Sequence, residues 1–181
     1  AMAEETETHR VFLAGPYSFS DELGGFKILS ASGIGTRENP VVITEELISS
    51  TPVTLTIRTM RPVNTYDTSG ESPNGMLSMR IVARNGSGQG WVEFEFELQE
   101  VLNVPSTFGD GLSFDQRVEN KEAVSSDRFA IFSRDFEPYD KLLFSKGTVD
   151  PGRTAGFSFL ITDFTPRWEF FLVQDPRIPS S

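Results

Sequence analysis

The chain has no cysteine, a single histidine and no apolar run near the ~20 residues a membrane-spanning helix needs. Without cysteine there is no disulfide, no thiolate nucleophile and no thiolate-bound metal, and the redox compartment leaves no trace in the sequence. The one imidazole, His9, follows the polar acidic segment AEETET (3–8), where nothing is expected to hold it in place. A Ser-His-Asp triad and a multi-histidine zinc site are therefore set aside. Basic residues are scarce too: 16 Lys and Arg against 26 Asp and Glu leave a net charge of −10. Such a charge repels phosphate backbones and anionic headgroups, so nucleic acid and membrane surfaces are poor partners. No signal peptide leads the chain, so an exported form is expected to have had it removed.

What is present points to strands. Sixteen Phe among 181 residues favour an interior in which aromatic and β-branched side chains pack on pleated surfaces. A chain of this length buries roughly 70% of its unfolded surface in one core. From Met76 to Gln99, two alternating segments flank a glycine-rich connection. Leu77, Met79, Ile81 and Ala83 form one apolar row; Val92, Phe94, Phe96 and Leu98 form the other. Paired as an antiparallel hairpin, the segments place Arg80 and Arg84 opposite Glu93, Glu95 and Glu97 on the outer face, with Trp91 leading that face. The segment PVTLTIRTM (52–60) alternates in the same way. Val11–Leu13, Tyr17–Phe19, Phe26–Leu29, Val41–Thr44, Leu142–Phe144, Phe157–Ile161 and Trp168–Val173 read as further strands between Gly, Pro and Asp turn signals. Thr44 to Leu47 has a short helical turn as its alternative, and Trp168–Val173 is expected to close the sheet.

The expectation is an all-β, antiparallel β-sandwich of jelly-roll or immunoglobulin-like type, with about eight or nine strands. It covers residues 11–176, between a flexible tail (1–10) and a C-terminal tail (177–181).

Three kinds of site deserve weighing. Asp110, Asp115, Glu119 and Asp127 crowd one irregular stretch and form a candidate Ca2+ shell, although no Asp-x-Asp-x-Asp-Gly loop is present. Without metal, they are an acidic surface loop. Tyr66, Trp91 and Tyr139 are candidate aromatic platforms for a sugar ring, with Trp168 a further one; core packing explains the tryptophans equally well. Paired carboxylates among Glu93, Glu95 and Glu97 would suit glycoside hydrolysis, but the Arg80 and Arg84 pairing would keep them ionised. The segment 61–75, rich in Pro, Asn, Ser and Gly, is long enough for a loop to count as a binding candidate. The glycines of Gly33-Ile34-Gly35-Thr36 and of 85–90 lack the lysine of a phosphate loop and read as connections.

The order NGSGQGWVEFEFELQE (85–100), GDGLSFDQ (109–116), SSDRFAIF (125–132), DKLLFSKGTVDPGRTAGFSFLI (140–161) and FFLVQDP (170–176) resembles secreted bacterial β-sandwich domains that accompany PEP-CTERM-type sorting tails. The resemblance covers about the last hundred residues and is at the level of the fold; the sorting tail itself is not in the sequence. It implies export and a non-enzymatic binding or structural role at the bacterial surface or in the extracellular matrix, with polysaccharide or a surface protein as partner. A carbohydrate-binding module is the alternative, and a glycan-active hydrolase using paired carboxylates the third reading.

Overall fold

The computed structural model describes residues 11–107, 111–114, 124–134, 139–163 and 167–179. Among these residues the protein is all β, without helix. The first strands are β1 (Val11–Ala14), β2 (Tyr17–Ser20), β3 (Phe26–Ser32), β4 (Val41–Leu47), β5 (Val53–Thr59), β6 (Met76–Asn85) and β7 (Glu93–Gln99). They are followed by β8 (Leu112–Phe114), β9 (Ser125–Ser126), β10 (Phe129–Ser133), β11 (Lys141–Gly147), β12 (Thr154–Asp163) and β13 (Glu169–Arg177). The thirteen strands exceed the eight or nine expected because turn-rich segments still contribute short strands, such as β8 and β9, at sheet edges. Two open sheets face each other, one ordered β1-β2-β5-β13-β7-β11-β10 and the other β3-β4-β6-β12-β8, with β9 against β12.

The expected hairpin between 77–84 and 91–99 does not form. β6 lies between β4 and β12 in one sheet, and β7 lies between β13 and β11 in the other. Alternation assigns a face to each residue, and two strands facing each other across a core satisfy it as well as two strands side by side. Leu77, Met79, Ile81, Ala83, Phe94, Phe96 and Leu98 of the expected inward rows are all buried, while Val92, just before β7, is half-buried. The outer charges find other partners. Arg80 faces Asp127 and Arg84 faces Glu46. Glu93 and Glu95 share Arg177, and Glu97 pairs with Lys141.

The connection after β6 is an arch sewn to a second arch. Asn85, fully buried, donates through Nδ2 to the carbonyls of Gln89 and Val149, each at 2.9 Å, and its Oδ1 accepts from the amide of Ser87 at 3.0 Å. Its backbone exchanges hydrogen bonds with Gly152 and Arg153 in the crossing between β11 and β12. One side chain thus satisfies backbone groups that neither sheet reaches.

The core joins the sheets through aromatic rings. Phe157 of β12 sits 4.7 Å from Phe94, 4.9 Å from Phe144 and 5.1 Å from Phe96, centroid to centroid. Trp91, fully buried, meets Phe94 edge to face at 5.3 Å.

Three further expectations change. Thr44–Leu47 is strand throughout, within β4. β4 and β6 pair in parallel, because the chain leaves their sheet, runs β5 in the opposite one and returns, reversing direction twice. β13 is central, between β5 and β7, and does not close its sheet.

A polar cross-link also spans the core. Glu45 of β4 is fully buried, and its Oε1 accepts from Gln174 Nε2 of β13 at 3.0 Å. Glu45 Oε2 and Gln174 Oε1 have no other partner. Both are acceptors when the acid is ionised, so a proton on Oε2 supplies the one donor missing between the two side chains. Burial pushes the carboxyl up to about 8, against the lowering effect of the Gln174 hydrogen bond.

Candidate functional site

The return path from β5 to β6 is the segment 61–75, and it builds the wall of a cleft. Polar turn chemistry orders it. Asp67 accepts through Oδ1 from the Ser69 amide (2.9 Å) and hydroxyl (2.6 Å), and through Oδ2 from the Ser72 amide (2.7 Å). The Ser69 hydroxyl first, then the Ser69 and Ser72 amides, hold its carboxyl below the ordinary range. Asn74 Nδ2 ties back to the Asp67 carbonyl at 2.8 Å, and the Asn64 amide bonds the Pro73 carbonyl at 2.7 Å. The loop expected to be a binding candidate is therefore internally braced.

The facing wall is the turn before β4. The amides of Ile34 and Gly35 both donate to the Asn39 carbonyl, at 3.1 and 3.0 Å. Gly35, at φ 93°, adopts a backbone that side chains disfavour, and its carbonyl accepts from the Ser78 amide at 2.9 Å. The two walls touch where Gly70 packs on the Ile34 side chain: a Cβ there would lie 2.5 Å from Ile34 Cδ1.

Between these walls, over the outer face of β6 and β12, lies a cleft of about 540 Å³. Its apolar floor includes Met76 and Leu160, lying over the buried Met79 and Phe159, and its polar groups include Thr36, Arg37, Glu38, Ser72, Asn74, Ser78 and Ser158. Tyr17 lines one end; burial, and then the charge of Asp163, push its phenol up to about 12. At neutral pH it is an uncharged donor and acceptor.

No known protein-family model matches the chain, and no curated protein matches it.

The sequence-predicted residues are scattered. Tyr66, on the loop 61–75, is 93% exposed. Tyr139 is exposed beside Lys141, whose Nζ lies 5.7 Å from the ring centroid. Trp91 offers no platform. It precedes β7 rather than alternating within it, and its exchange of backbone hydrogen bonds with Val149 turns the indole into the core. Asp110, Asp115 and Glu119 lie outside the described residues, as does His9. Asp127 is engaged within the sheet: Oδ1 accepts from the Gly156 amide at 2.8 Å and Oδ2 faces Arg80 at 3.7 Å. Among the described residues no three acidic or histidine side chains form a group that would hold a metal ion.

The carboxylates assemble differently from expectation. Glu95 of β7 stands directly opposite Asp175 of β13. Both carboxyls are raised first by burial, with the nearby Arg177 and Lys141 pulling the other way. Arg177 bonds Glu95 at 2.9 Å and lies 3.9 Å from Asp175.

The residues missed by sequence reasoning are Tyr17, Arg37, Ser78 and Ser158, drawn from four separate segments. Ser78 carried a signal, since it is a small outward residue in a long alternating strand. The others become neighbours only through the pairing of β6 with β12 and the packing of the turn before β4.

Proposed function

We propose that this protein is a non-enzymatic, exported binding module that holds a carbohydrate in the cleft between the turn 33–40 and the loop 61–75. The observation that carries the reading is the cleft's composition: hydroxyl and amide groups on braced walls above an apolar floor. Sugars present both chemistries, hydroxyls around the ring and C–H faces above and below it, and a pre-ordered wall lowers the entropy lost on binding. Export rests on the resemblance of residues 77–176 to sorting-tail-associated secreted domains. The test is binding to an array of glycans, comparing the parent with Ser78→Trp, which fills the cleft from a partly exposed position on β6. The parent should bind at least one glycan series and the variant should lose about tenfold or more in affinity, with its melting unchanged. Parent and variant binding alike would overturn the assignment of the cleft.

The opposed Glu95 and Asp175 support a second reading, glycoside hydrolysis, because both carboxyls are raised and their side chains differ in exposure, 8% against 30%. Arg177 bonded to Glu95 favours the ionised form and opposes proton donation. Glycan cleavage abolished by Glu95→Gln would establish this reading instead.

A further inference from the structure

The cleft has further depressions beside it. Tyr17 and Met76 line both the cleft and a small void of about 20 Å³ beside it. Thr59, Val63 and Arg167 line both the void and a third depression of about 450 Å³. Arg167 and Trp168 are shared by that depression and a fourth, of about 510 Å³. Trp168 therefore stands as a ridge between two open depressions, with the small void, lined in part by the buried Leu77, Ile161 and Phe170, between them and the cleft.

The ridge is held for contact. Trp168 precedes β13, and its carbonyl accepts from the Thr59 amide at 2.8 Å, which fixes the backbone at the end of β5. The Arg58 guanidinium lies 6.0 Å from the indole centroid. Arg58 is itself clamped, with Nε donating to Glu169 at 2.7 Å and Nη1 to Glu22 at 2.6 Å. The indole nevertheless keeps Trp168 64% exposed. A fixed, exposed indole loses little freedom on binding and presents a flat face to C–H groups. On its flank Arg167 pairs with Glu100, placing a guanidinium and a carboxylate where hydroxyls beside the ring would meet them.

We infer that the ligand is an extended neutral polysaccharide, with one stretch of the chain in the cleft and another stacked on Trp168. This rests on the carbohydrate reading of the cleft and adds a second subsite, so that affinity grows with chain length. Two lobes separated by a void too small for a sugar ring suit a chain long enough to bridge them across the surface, whereas a free monosaccharide would use one lobe alone. The guanidinium groups beside the ridge are matched by carboxylates, Arg58 by Glu22 and Glu169 and Arg167 by Glu100, and the chain as a whole carries a net charge of −10. That balance favours an uncharged chain over a polyanion.

The test is a titration with disaccharide and hexasaccharide members of gluco-, xylo-, manno- and galacto-configured series. It compares the parent with Trp168→Ala, an exposed change whose folding is checked by thermal melting. The hexasaccharide should bind the parent about tenfold or more tighter than the disaccharide, and Trp168→Ala should erase that gain while leaving disaccharide affinity unchanged. Equal affinity for short and long chains, with disaccharide binding intact, would overturn the second subsite and leave the cleft reading standing. No binding to any series would overturn both. A dimer of the parent that Trp168→Ala turns into monomer, with length dependence intact, would make the ridge a self-association surface and also overturn the inference.

Discussion

Raising the pH from below 4.5 to above 8 should weaken this fold chiefly through one side chain, Glu45. In the folded state its carboxyl is pushed up to about 8 by complete burial, whereas the unfolded chain returns it to the ordinary value of 4.5. The folded protein thus binds more protons than the unfolded one between those values, so stability falls as pH rises. The contribution is fully present below 4.5, is lost progressively through the window, and changes no further above about 8. At ~1.36 kcal/mol per pH unit the window amounts to about 5 kcal/mol. That is a large share of the 5–15 kcal/mol, roughly, that stabilises a domain. The structural cause is the pair of unsatisfied acceptors, Glu45 Oε2 and Gln174 Oε1, left between the sheets once the proton departs. Glu45→Gln tests this directly, since an amide N–H replaces the acid O–H as donor and has no proton to lose. Denaturant unfolding of parent and variant across the window should show the difference between them growing in the variant's favour as pH rises. Glu95 and Asp175, also raised by burial, act in the same direction in both proteins and cancel in that difference. Parallel curves for parent and variant would show that Glu45 titrates alike in the folded and unfolded chain, and that its burial does not hold the proton.

Phe96→Ala should cost about 3–5 kcal/mol in denaturant unfolding, because the ring is fully buried against Phe94, Phe144, Phe157 and Phe159. A loss under ~1 kcal/mol would mean that the sheets do not meet through this cluster. Asp127→Ala should lower the melting temperature by the same few degrees in calcium and in chelator, since its oxygens serve Gly156 and Arg80. A loss seen only in calcium would return Asp127 to a cation shell.

Much of the fold was legible in the chain. The period-two rows of β5, β6 and β7 identified the strands and their inward faces, since that pattern needs nothing beyond the pleat of each strand. The segment 61–75 announced itself by length and composition, and it does form a wall of the cleft.

Which strand lies beside which was not legible, and the hairpin expected around residues 85–90 shows why. Charge complementarity between Arg80, Arg84 and the glutamates of β7 looked like evidence for a pairing, but surface ion pairs are weak and every such charge found a partner elsewhere. The pairing was decided by long-range terms: the hydrogen bonds of Asn85 to the second arch and the meeting of Phe157 with Phe94 and Phe96. The same terms turned Trp91 inward and left Trp168 exposed, although both begin or precede strands with similar sequence surroundings. Glu45 meets Gln174 only because β4 and β13 face each other across the core. The sequence by itself determined the strands and their faces, which are local properties of the pleated chain. Sheet order, the cleft and the ridge depend on contacts between residues far apart in the chain, and only the tertiary structure decided them.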